Sequence, residues 1–179
     1  MPARRGSLGG ALLLAALLLA QPARAQHHHH AAATPYAGLQ QRPVKAVSAE
    51  QQADLLAGRG MGLALAAELN GYPGPAHVLE LAGPLALSPA QQATAQALQA
   101  SMAAEARSLG AEILRAETAL DRLFAEGQAE VATLAALTAE IGTLQGRLRA
   151  AHLAAHIGMH AALSPEQRAS YARLRGYSR

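Results

Sequence analysis

SPAQQATAQALQASMAAEARSLGAEILRAETALDRLFAE, residues 88–126, is the stretch that decides the fold. Ser88 is a good N-cap, Pro89 suits the first helical position and Gln91 stands three residues after the cap, so a helix opens here. Its large apolar residues fall at Leu98, Met102, Leu109, Ile113, Leu120 and Phe124, alternating steps of four and seven. That eleven-residue repeat corresponds to about 3.67 residues per turn, which keeps the stripe on one face of a nearly straight helix. Gly127 ends it. A second helix over 129–162 carries Leu134, Leu137, Ile141, Leu144 and Leu148 in a heptad-like seam. Two long amphipathic helices joined at one glycine predict an antiparallel hairpin.

Outward from the hairpin, the chain supplies short helices. Ser164, Pro165 and Gln167 repeat the opening pattern and start a last helix to about Arg175. Upstream, Ser48 and Gln51 form a capping-box pattern for a helix that can run to Asn70, weakened in its middle by Gly58-Arg59-Gly60-Met61-Gly62. Asn70-Gly71-Tyr72-Pro73-Gly74-Pro75 then breaks the chain before a short helix over 76–82. The fold class expected is all-α: a long antiparallel helical hairpin with short flanking helices. A single hairpin has too little interior for both stripes, so Leu98, Met102, Leu109, Leu144 and Leu148 need the flanking helices or a second copy to leave water. A homodimer is the economical solution.

The first 25 residues have the order of a cleaved secretory signal: Arg4 and Arg5, an apolar run from Leu8 to Ala20, then Ala23-Arg24-Ala25. The run is shorter than the ~20 residues a membrane-spanning helix needs. Cleavage is expected before Gln26, giving a periplasmic protein with a flexible His-containing tail over 26–47, an N-terminal helix and Gly/Pro break over 48–75, and a helical domain over 76–179. The chain has 15 basic and 12 acidic residues. Loss of Arg4, Arg5 and Arg24 balances them, so the basic precursor is no argument for nucleic-acid binding, and with one Phe, four Tyr and no Trp stacking platforms are scarce. The absence of cysteine leaves stability to helix packing or association.

Leu87-Ser88-Pro89-Ala90-Gln91 and Leu163-Ser164-Pro165-Glu166-Gln167 resemble the paired Leu-Thr/Ser-Pro-x-Gln motifs of the Spy/CpxP family of periplasmic stress proteins, which also includes heavy-metal sensors and resistance proteins. One motif opens each helix flanking the seam of the hairpin, as the family arrangement requires. The resemblance covers about His77 to Tyr177, with the Ser48–Asn70 segment additional to it. It implies a curved dimer whose concave face holds partly unfolded periplasmic clients without ATP, under a membrane sensor or regulator, or whose helices hold a metal ion.

His152, His156 and His160 recur at i, i+4 and i+8 on the second hairpin helix. At ~100° per residue they share a sector about 80° wide, so adjacent pairs can ligate one ion, but His152 and His160 lie about 12 Å apart along the axis and cannot share it. Counting back from Gly127 places Met102 opposite His152. Met102 with a histidine pair suits copper, whereas a glutamate or water completing the shell suits zinc, nickel or cobalt. Interfacial histidines at the edge of the apolar seam are the alternative reading. His27–His30 fit a metal-scavenging tail, a tag or a chance polar tract, and His77 alone on a short helix reads as structural. Arg168, Arg173, Arg175 and Arg179 read as a solvated helix face that could also meet acidic peptide segments.

Enzyme signatures are missing: no His-Glu-x-x-His, no Gly-x-Ser-x-Gly, no cysteine nucleophile and no carboxylate cluster. The Gly58–Gly62 stretch follows no strand and Lys45 is the only lysine, so a nucleotide-phosphate loop is excluded as well. Two expectations remain. One is an ATP-independent chaperone or stress-response protein; the other is a sensor or resistance protein binding Cu, Zn, Ni or Co.

Overall fold

Each of the three serines read as a helix start accepts the backbone N–H of a glutamine three residues on, and each glutamine side chain accepts the serine's own N–H: Ser48 with Gln51, Ser88 with Gln91, Ser164 with Gln167. The reciprocal cap satisfies donors that a helix end otherwise leaves open. The computed structural model describes residues 34–177. The chain divides after Pro35 into two units, and every contact below lies within the second, Tyr36–Arg179. The expected signal at 1–25 and the histidines His27–His30 lie outside the described residues.

After a 3-10 turn at Leu39–Gln41 come α1 (Ala49–Ala57), α2 (Leu65–Glu68), α3 (Pro75–Glu80), α4 (Pro89–Ala125), α5 (Val131–Ala162) and α6 (Pro165–Leu174), with no strand among the described residues. The molecule is all-α, as expected. α4 and α5 form the antiparallel hairpin: the Gln91 side chain at the start of α4 donates to the Ala162 carbonyl at the end of α5 (3.0 Å), and Leu98 packs on Gly158. Gly127, at φ 66°, makes the left-handed turn between them.

Two apolar cores lie along this hairpin. The first joins Leu109 and Ile113 of α4 to Ile141, Leu144 and Leu148 of α5, with Leu55 of α1 and Val44 and Val47 laid over them. α1 can come this close because Gly110 has no side chain; a Cβ there would lie 2.2 Å from the Leu55 carbonyl oxygen. The second core, nearer the chain ends of the hairpin, gathers Val78, Leu85, Leu87, Ala95, Met159, Leu163 and Tyr171.

Several expectations change in detail. The helix expected over 48–70 stops at Ala57, because Gly58 adopts φ 67° and its N–H and that of Arg59 bond back to the Leu55 and Asp54 carbonyls. The tail expected to reach Val47 is anchored before that point: Val44 and Val47 are buried and Lys45 pairs with Asp121 at 2.9 Å. Leu109, Leu144 and Leu148 leave water within one chain, under the flanking segments that were one of the two covers expected. Near the turn the stripe is less covered: Phe124 is exposed, and Leu134 and Leu137 are half-buried. Among the described residues no helix is long and apolar enough to cross a membrane.

Candidate metal centre

Between the two cores the hairpin is left open. Toward the turn, α4 gives Ala106 and Leu109 to the first core, and toward its start it gives Ala95 to the second; on α5 the first core ends at Leu148 and the second resumes at Met159. The gap is a cavity of about 590 Å³ lined by Gln99 and Met102 of α4, His152 and His156 of α5, Glu68 of α2, and the Gly58–Gly62 loop. Met102 and His152 thus line one space, in the register counted from Gly127.

His152 is 4% exposed and its buried Nε2 has no hydrogen-bond partner. Burial, and after it the neighbouring His156, holds its pKa below the ordinary histidine value of 6.5, so the ring is neutral at pH 7. A neutral imidazole is the form that binds a metal. His156 Nδ1 lies 2.7 Å from the Tyr72 carbonyl oxygen. That oxygen can only accept, so Nδ1 carries the hydrogen, and in the neutral ring Nε2 holds the lone pair. A histidine ligand is typically oriented in this way, by its second nitrogen donating to a carbonyl.

A buried polar network lies beside His156. Glu68 accepts the Tyr171 hydroxyl on Oε1 (2.5 Å) and the Gly74 N–H on Oε2 (3.1 Å), and the same Oε2 lies 3.7 Å from His156 Nδ1. Burial first, and the bond to Glu68 second, push the Tyr171 phenol well above its ordinary pKa, so it remains a donor. The network ties α2, the Tyr72–Gly74 turn and α6 to α5, and none of its members other than His156 was legible as a partner in the sequence. The break at Asn70–Pro75 was visible; that its Tyr72 carbonyl meets a histidine 84 residues on was not.

The rest of the histidine ladder separates. His160 stacks on the Tyr72 ring, centroids 4.2 Å apart, and is absent from the cavity wall. His77 lines the cavity, but its Nδ1 is 3.0 Å from Glu80 Oε2. Among the described residues no group of three or more His, Cys, Asp or Glu could hold an ion. A metal here would have two imidazoles, His152 and His156, and would draw its other ligands from donors such as the Met102 thioether, the Gln99 amide oxygen, also buried without a partner, or water. The residues fit a nitrogen-and-thioether site and do not form an all-oxygen one.

The two family-like pentapeptides meet. Gln91 Nε2 donates to Gln167 Oε1 (2.8 Å) and Gln167 Nε2 to Gln91 Oε1 (3.1 Å), while each amide also donates to a carbonyl, of Ala162 and Leu85 respectively. Arg168 donates to the His160 and Leu163 carbonyls at the end of α5, so this arginine closes a helix and does not stand free for a partner.

The fold and this cavity define an all-helical hairpin protein with two histidines, His152 and His156, in a cavity between two cores. The model of the heavy-metal resistance family matches residues 55–170, more than half of the chain, and the protein belongs to that family. The match begins in α1, upstream of the paired motifs, so it takes in the glycine loop and α2. No curated protein matches the chain, and no solved structure does.

Proposed function

We propose that this protein is an exported, periplasmic component of a heavy-metal resistance or sensing system that acts by binding a transition-metal ion and not by catalysis. The observation that carries the reading is the His152 Nε2, buried and unpartnered in the same cavity wall as His156, whose hydrogen-bonded Nδ1 leaves Nε2 as its lone-pair nitrogen. Membership of the heavy-metal resistance family supports it. In this reading His152 and His156 are the ligands, the Tyr72 carbonyl holds His156 in orientation, and His160 serves packing.

The test is titration calorimetry of Zn(II), Ni(II), Co(II) and Cu(I) into the mature chain lacking residues 26–30, so that the tail histidines do not compete. The double variant His152→Ala, His156→Ala should lose tight binding of whichever ion the parent holds. Unchanged affinity would sink the proposal.

A Spy/CpxP-like chaperone role, working as a dimer on unfolded clients, is the second reading. The exposed side chains of Leu56, Leu65 and Leu69 favour it, since apolar groups left in water can hold an unfolded segment. Light scattering of an aggregating client, with the mass of the protein in solution, decides it: no suppression together with a monomeric mass removes both clauses.

A further inference from the structure

The metal reading leaves the ion unspecified, and the cavity wall narrows the choice. The chain has no cysteine, so its soft donors are its four methionines. Met159 is fully buried in the second core, and Met1 lies outside the described residues. The remaining two, Met61 and Met102, both line the cavity that holds His152 and His156. Met102 comes from the rigid wall of α4. Met61 comes from the loop between α1 and α2, sits between Gly60 and Gly62, and holds φ at 43°, a left-handed conformation that side chains rarely adopt.

The oxygen donors point the same way. Among the described residues Glu68 is the one carboxyl group on the cavity wall, and both of its oxygens already accept hydrogen bonds, from Tyr171 and Gly74. Arg107 lines the cavity, and so does Arg59, which pairs with Asp54. A wall whose carboxylate oxygens are already engaged has little to offer a hard divalent ion. Thioether and imidazole donors without free carboxylates select soft d10 ions over the hard or borderline divalent metals.

We propose that the cavity is a Cu(I) site formed by His152, His156, Met102 and Met61, with the glycine loop carrying Met61 over the bound ion as a cap. This rests on the metal-binding reading above and names its ligand. Met61 is 40% exposed, which gives an ion a way in past the loop before the thioether closes on it.

The experiment uses the mature chain with His27–His30 replaced by serine, anaerobic Cu(I) delivered against a chromogenic Cu(I) chelator, and Zn(II) and Ni(II) in parallel titrations. Met61→Leu and Met102→Leu nearly preserve volume, so both variants should keep the parent's circular dichroism and Tm. Each should lower Cu(I) affinity by roughly tenfold or more and leave weak Zn(II) and Ni(II) binding where it was. X-ray absorption of the Cu(I)-loaded parent should show sulfur scattering, reduced in each variant. Cu(I) affinity unchanged in both methionine variants, or a copper shell with no sulfur, overturns the inference while the metal reading stands if His152→Ala, His156→Ala still loses the ion. A parent that binds no metal overturns both.

Discussion

The two cores of the hairpin are built by different means. The first, around Leu109, Ile113, Leu144 and Leu148, is aliphatic throughout and depends on one backbone approach, α1 over Gly110. The second, around Val78, Met159 and Leu163, is bordered by paired amides and by the Glu68–Tyr171 bond. Apolar packing is non-directional, so it fills space without fixing which atom faces which. Hydrogen-bonded groups have directions, and a buried one that misses its partner costs about 1–3 kcal/mol. The histidines stand between the two, and what orients His156 is a directional contact, the Tyr72 carbonyl.

Deleting volume from the aliphatic core should have the largest effect. Leu109→Ala should lower unfolding free energy by about 3 kcal/mol in urea titrations, with little dependence on pH, because only transfer and cavity terms are lost. A loss below about 1 kcal/mol would show that this core collapses around the gap and is looser than its burial implies.

The next largest effect is expected of Gly110→Ala. In an exposed helix interior that change stabilises by about 1 kcal/mol. Here the added methyl would meet the Leu55 backbone, which cannot turn aside as a side chain would, so a net loss of about 2 kcal/mol is expected from the same titration. A more stable variant would mean that α1 is free to lift away.

For the polar border, a double-mutant cycle on Gln91→Ala and Gln167→Ala should give a coupling energy of about 1 kcal/mol, since the two amides donate to one another. Additive losses would mean that each glutamine acts only through its own helix cap.

The smallest effect is in the pH profile. The folded-state pKa of His152 is depressed below 6.5. As pH falls through 6.5 the unfolded chain takes up a proton that the folded chain refuses, so stability contributed above that pH declines until the folded pKa is reached. His152→Gln should flatten Tm against pH on the acid side of 6.5. An unchanged slope would assign the acid sensitivity to other groups.

Much of the fold was legible because helix signals are local. A serine, a following proline and a glutamine three residues from the serine specify a cap within one turn of chain, and two of the three boxes carried all of these. The eleven-residue stripe gave α4 its buried face, yet Phe124 belongs to that pattern and lies in water, since periodicity states which residues share a face and not how far along it a cover extends. Conversely, Val44 and Val47 have no periodic neighbours, and only packing with α1, α4 and α5 makes them core. The site divides similarly. The spacing of His152, His156 and His160 set which rings could be close, and Gly127 set the register of Met102.

By itself, then, the sequence determined helix starts, the hairpin and its register, because each depends on residues within a few turns or on symmetry about a single glycine. Tertiary structure alone decided that Gln91 meets Gln167, that Tyr72 draws away His160 while its carbonyl fixes His156, and that Met61 shares a wall with Met102. These contacts join residues far apart in the chain, and no local propensity encodes them. They arise when apolar faces close and each buried donor must find an acceptor within reach.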